Sequence, residues 1–140
     1  MIRIDCSSWL INGEWASPIR RSVFVEEQGI DESEEWDEYD AVSVHVLAWL
    51  GGKPVGTARL LPEGKIGRMA VLPEFRGLGA GSAMLLALLA VAKEQKLQQV
   101  RLSAQQQAIE FYSRHGFAPC GDAHIEVGIP HQWMVLNLTT

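Results

Sequence analysis

The sequence predicts one mixed α/β domain with a largely antiparallel sheet. Three observations carry that reading. Residues 41–71 hold three period-two runs, broken by "GGKP" and "PEGK". Residues 79–96 hold one long helical pattern, entered through Gly77, Gly79 and Gly81. A strand-like run, a short amphipathic helix and a hairpin-like end follow, an order that belongs to a sheet flanked by helices.

Taken in order, "MIRID" reads as a short first strand. Ser17 followed by Pro18 predicts a helix start, a capping side chain and then proline at the first helical position. Ile19 and Val23 share a face of that helix, which should end near Gly29. "DESEEWDEYD" reads as a short second helix or a loop. "AVSVHVLAWL", "VGTARLL" and "IGRMAV" form an antiparallel meander, and residues 79–96 form one helix. "QQVRLSA" is a strand, placed parallel to "IGRMAV" because a helix crosses between them. Ala108, Phe111, Tyr112 and His115 follow helical spacing over 107–115, with Gly116 just past the end. The tail, "FAPCGDAHIEVGIPHQWMVLNL", reads as a hairpin with Gly128 and Pro130 in its turn.

At 140 residues and 47 % hydrophobic, the chain suits one globular domain. Cys6 and Cys120 make neither a disulfide framework nor a metal spacing, so no metal is expected. No signal-peptide core is seen, and the apolar run 79–92 is too short to span a bilayer. The expectation is a cytoplasmic protein with no membrane partner. Twelve Lys and Arg against 17 Asp and Glu leave a net charge of −5, which argues against nucleic acid as a partner. The acids concentrate between Arg21 and Lys53, a stretch without Lys or Arg.

Three glycines in five residues at a helix mouth need a reason, since glycine costs backbone entropy. A helix N-terminus offers unpaired N–H groups and a partial positive charge, and glycines let a bulky anion approach them. A phosphate or pyrophosphate fits. The Walker loop fails, because Gly81 is followed by Ser82 and Ala83 with no lysine. The dinucleotide fingerprint fails too, because its last glycine falls on Ser82 or Met84. The remaining pattern is Gln/Arg-x-x-Gly-x-Gly/Ala, met by Arg76, Gly79 and Gly81.

With "RMAV", "RGLGAG" and "AIEFYSRHGF" in that order, the chain resembles the GNAT superfamily of acyl-CoA N-acyltransferases. "VFVEEQGI", "GTARLL", "LSAQ" and "GIPH" resemble its small bacterial YjcF- or ElaA-like branch. The resemblance implies a single GNAT-type domain over 1–140, with a six- to seven-stranded sheet and helices on both faces. It implies acetyl-CoA as cosubstrate, its pyrophosphate on the backbone of Arg76, Gly77, Leu78, Gly79, Ala80, Gly81 and Ser82. It also implies that pantetheine pairs along Met69, Ala70 and Val71, that Tyr112 protonates the leaving thiolate, and that a small-molecule or peptide primary amine is the acceptor. The alternative is a non-catalytic acyl-CoA-binding module that reports or regulates. A homodimer stays open.

Acetyl transfer needs a neutral amine, yet a free alkylamine has a pKa of about 10.4, so a base is required. His131 is the best-matched candidate and Glu27 follows, ending the first helix with Glu26; His45 lies on a strand that could face the cleft, and Glu126 neighbours the final hairpin. Each could instead be a core histidine or a solvated carboxylate. Arg59 and Arg68, on neighbouring strands, could grip an anionic acceptor or be tied up by the acidic segment. That segment could equally attract a cationic acceptor. Trp49 and Trp133 read as core, and Trp36 as either a wall or lid of the acceptor cleft or ordinary loop packing.

Overall fold

The computed structural model describes residues 1–138. The strands are β1 (Ile2–Ser7), β2 (Val44–Leu50), β3 (Lys53–Leu60), β4 (Lys65–Val71), β5 (Gln99–Gln105), β6 (Ala118–Pro119), β7 (His124–Glu126) and β8 (Ile129–Asn137). They form one sheet in the order β1-β2-β3-β4-β5-β8-β6, with β7 also on β8. Every pairing is antiparallel except β4 with β5. The helices are α1 (Trp9–Arg20), prolonged by a π-helical stretch Arg21–Glu27, α2 (Glu32–Glu35), α3 (Ala80–Glu94) and α4 (Ile109–Arg114). None is long and apolar enough to cross a membrane.

The sheet is covered on both faces because its strands alternate. Val46 and Ala48 of β2 join Met84, Leu85 and Leu88 of α3 in the larger core, all fully buried. Leu47, between them, points the other way, into a second core with Ala16, Ile19, Val23 and Phe24. Fully burying a leucine or methionine contributes about 1.5–3 kcal/mol. α4 sits on the α3 side, where Tyr112 enters the larger core. Its end is a Schellman turn: the Phe117 amide donates to Tyr112 O, the Gly116 amide to Ser113 O, and Gly116 has φ 94°.

Three expectations need correction. The first helix starts at Trp9, with Ser8 before it, and Pro18 lies inside. Tertiary packing of Ala16 and Ile19 outweighs the missing proline amide, the Ser17 hydroxyl donates to Gly13 O at 2.7 Å, and the helix then widens into its π-helical stretch. β2 starts at Val44, since residues 38–42 form a 3₁₀ turn. Pro130 lies in β8 opposite Ile125, leaving Val127 and Gly128 as the turn.

One seam differs from the rest. β4 and β5 pair only at Lys65 with Arg101 and Ile66 with Leu102. Beyond Ile66 the strands part. A bulge in β4 sets Arg68 and Met69 against Ala58 alone, with Arg68 at φ 49°, and bulges bend the strand that carries them. Below the fork the seam is tight. Gly64 has φ 107°, its carbonyl accepts from the Arg101 amide, and a Cβ there would stand 2.8 Å from Gln99 O. Gly64→Ala is therefore expected to cost about 1–3 kcal/mol, read as a lowered denaturation midpoint with unchanged slope.

Candidate active site

The fork between β4 and β5 has three walls. The first is β4. The Leu72 amide bonds Val55 O, so the amides of Val71 and Met69 alternate away from β3, toward the fork. The Val71 carbonyl, on that same side, accepts from Arg76 Nε at 2.9 Å.

The second wall is the glycine loop. Gly79 precedes α3 at φ 92°, and Gly77 lies at φ 80°; a Cβ at either would meet nothing within 4 Å. Their backbone, not crowding, excludes other residues. The first intrahelical bond runs from the Ala83 amide to Gly79 O, leaving the amides of Ala80, Gly81 and Ser82 without helical partners. Among the described residues no side chain caps them, and no acid sits in the first turn of α3. Such a mouth suits a phosphate-type anion. The Arg76 side chain is already engaged, bidentate on Glu27 at 2.8 and 2.6 Å.

Tyr112 of α4 is the third wall. Its hydroxyl lies 3.5 Å from the sulfur of Met69. Burial pushes its pKa up to about 12, so it is protonated throughout the physiological range.

Across the fork runs the end of the π-helical stretch. Glu27 bonds Arg76 on one side, and the Gln28 side chain accepts from Gln105 Nε2 of β5 at 2.8 Å on the other. The Arg76 hydrogen bond holds the Glu27 carboxyl below its ordinary range, which makes this exposed, paired carboxylate a weak base.

Arg59, Arg68 and His45 are engaged with groups of the protein itself. Arg59 is buried and donates to Asp37 and Asp40 at 2.6–2.9 Å. Arg68 pairs with Glu35 at 3.2 Å and Asp37 at 3.1 Å. Arg20 completes the group on Glu35 and Asp40, both at 2.8 Å. Three guanidiniums thus face three carboxylates within the protein. His45 is buried under Trp9 and donates from Nε2 to Asp40 O at 2.9 Å. Desolvation lowers its pKa. The Trp36 ring carries the Arg20 and Arg21 guanidiniums at 4.9 and 5.4 Å.

His131 stands where the fork is open, opposite Gln105, with Nδ1 donating to Ile129 O at 2.8 Å. That bond fixes the tautomer and leaves Nε2 as the basic nitrogen. The sequence reading named Glu126 beside it but passed over His124 and Ser103. His124 stacks on His131 at 6.1 Å and on Trp133 at 5.7 Å, while Ser103 and Glu126 complete a cluster. Trp133, expected in the core, faces this cluster and carries Lys65 and Arg101 near its ring, at 5.3 and 5.6 Å. The i, i+2 spacing of His124 and Glu126 on a strand was the available signal, since it puts both on one face.

Burial would raise the Asp37 carboxyl, but the Arg59 hydrogen bond and the charges of Arg59 and Arg68 hold it at about 2. A depressed carboxyl contributes stability above its unfolded pKa, about 3.9, and loses it as pH falls toward the folded value. Stability should therefore fall between pH about 4 and about 2, and Asp37→Asn should flatten that part of a denaturation-versus-pH curve.

The model of the Acetyltransferase (GNAT) family matches residues 11–117. A Bacillus subtilis protein named as an uncharacterized N-acetyltransferase, YjcF, is 36 % identical over 121 residues, covering 84 % of this chain and 86 % of that one. The crystal structure of Escherichia coli ElaA superposes with a TM-score of 0.86 at 27 % identity, over 97 % of this chain and 99 % of that one. An acyl-CoA N-acyltransferase from Pseudomonas aeruginosa gives the same TM-score at 28 % identity and the same coverage. On the extent of the family match and the identity to YjcF, this chain belongs to the GNAT acetyltransferase family.

Proposed function

We propose that the protein transfers an acetyl group from acetyl-CoA to a primary amine by direct attack. The observation that carries this reading is the fork itself: free β4 amides, orphan α3 amides and the Tyr112 hydroxyl border one opening between two parallel strands. The amides from Gly77 to Ser82 hold the coenzyme A pyrophosphate, the Arg76 amide being turned back onto Pro73 O. The pantetheine arm lies along Met69, Ala70 and Val71 as a substitute strand. This supplies at once the position of the thioester and the donor for its developing oxyanion, on Met69 or Val71.

Tyr112 gives its proton to the departing thiolate. A phenol at about 12 is a poor acid for a thiolate in water, whose conjugate acid lies near 8.5. The same burial acts on the thiolate, however, and raises its proton affinity in step. In this reading the amine enters beside His131, which lies on the fork's open face opposite Gln105. Glu27 serves instead as a tether for Arg76 and thereby holds the π-helical stretch across the fork.

The identity of the amine comes from a thiol-release screen with acetyl-CoA against polyamines, amino sugars, amino acids and peptides. Release with at least one amine is expected; coenzyme A binding with no release from any amine would return the chain to the non-catalytic alternative. Tyr112→Phe should slow turnover by about 100-fold with coenzyme A affinity nearly unchanged; an unaltered rate would leave Tyr112 as a packing residue. Gly79→Asp should abolish calorimetric heat on coenzyme A addition, because it adds charge beside the phosphates and strains a φ of 92°. Undiminished binding would remove the loop from the cofactor site.

A further inference from the structure

The two ends of the sheet are finished differently. At one end β8 is covered by β6 and β7, of two and three residues, and β6 ends on Pro119. Short strands and proline are the usual means of blunting an edge. At the other end stands β1. It is six residues long, pairs with β2 in unbroken register, and holds neither lysine nor proline. Among the described residues nothing pairs with its outer side. α1 packs chiefly on β2 and β3, inward of that edge.

The side chains of β1 alternate between the two faces. Ile2 and Ile4 pack against the larger core yet remain partly exposed. Arg3 lies on the other face, its guanidinium 5.0 Å from the centre of the Trp49 ring. Asp5 shares that face by strand alternation. Neither Arg3 nor Asp5 has an ion-pair partner among the described residues.

The order of these side chains is self-complementary. Two copies of β1 related by a two-fold axis through Ile4, perpendicular to the sheet, run antiparallel. Ile4 then faces the partner's Ile4, Arg3 faces the partner's Asp5, and Ile2 faces the partner's Cys6. Opposite charges directly across a strand pair are favourable, and like charges there are not. The neighbouring registers that keep the faces aligned fail on this rule. Slipping the pairing one way sets Arg3 against the partner's Arg3. Slipping it the other way sets Asp5 against the partner's Asp5. Charge therefore selects one register, and an edge with a preferred register is built for a particular partner.

We propose that the outer edge of β1 is a homodimer interface, occupied by a second copy of this chain in the register centred on Ile4. The two sheets become one, and the outward amides and carbonyls of each edge pair with those of the other. The exposed parts of Ile2 and Ile4 are covered on one face, and the Arg3–Asp5 pairs close the other. β2, β3 and β4 separate this edge from the fork, so both openings stay clear. Dimerisation and acetyl transfer therefore stand or fall separately.

Sedimentation equilibrium of the full chain should show a monomer–dimer equilibrium; a chain that stays monomeric up to its solubility limit overturns the proposal. Arg3→Glu and Asp5→Arg should each weaken the dimer by about tenfold or more, since each replaces attraction with repulsion on both sides of the axis. Arg3→Glu combined with Asp5→Arg should restore it. A dimer indifferent to both single changes overturns β1 as its surface, and a double variant as weak as the single ones overturns the register. Far-UV circular dichroism on each variant separates a lost dimer from a lost fold. Cross-linking supplies a second route, in a chain carrying Cys6→Ser and Cys120→Ser. There Ile4→Cys should give a disulfide-linked dimer on mild oxidation, because directly opposed residues lie about 4.5–5.5 Å apart between Cα atoms, within disulfide reach. Arg3→Cys in the same chain should not, since the partner's Asp5 stands opposite it. Equal linkage by both changes, or none by Ile4→Cys, overturns the Ile4-centred pairing.

Discussion

The structure turns on a pairing that stops. A parallel strand pair in a covered sheet ordinarily bonds along its whole length, because unpaired buried amides are costly. Here the β4–β5 ladder ends after two residue pairs, and a bulge with a left-handed Arg68 takes β4 away from its neighbour. Everything assigned to function lies on the edges of that fork. The glycine loop follows the free end of β4, Tyr112 reaches the opening from α4, and the histidine cluster sits beside the crotch.

A fork in a sheet has to be held open. On one side, α3 and α4 fill the larger core beneath it. On the other, α1 ends in a π-helical stretch whose Glu27 and Gln28 reach the two banks separately. Farther along the same face, Arg20, Arg59 and Arg68 knit the acidic segment to the sheet through Glu35, Asp37 and Asp40. A network of equal charges of each sign, mostly out of water, contributes position more than stability. It also engages Arg59 and Arg68, the arginines that could have gripped an anion, with Glu35, Asp37 and Asp40.

Much of the fold was legible because it is local. Period-two valine runs, a glycine after Arg114–His115 and a helix between two strands fix the meander, the Schellman end of α4 and the parallel crossover. The start of α1 was misread for the same reason. Ser17–Pro18 is a sound local signal for a helix start, but the buried faces of Ala16 and Ile19 carry the helix straight through it.

By itself the sequence determined the strand and helix order, the glycine loop at the mouth of α3 and the place of Tyr112 on α4, since each rests on spacing within a few residues. Only the tertiary structure decided which charges neutralise each other and which side chains meet at the fork. Arg59 and Asp37 are 22 residues apart, and Ser103 and Glu126 are 23 apart. Such contacts depend on strand register and on which face each residue takes, and a side chain's chemistry carries no record of the partner that a distant strand will bring to it.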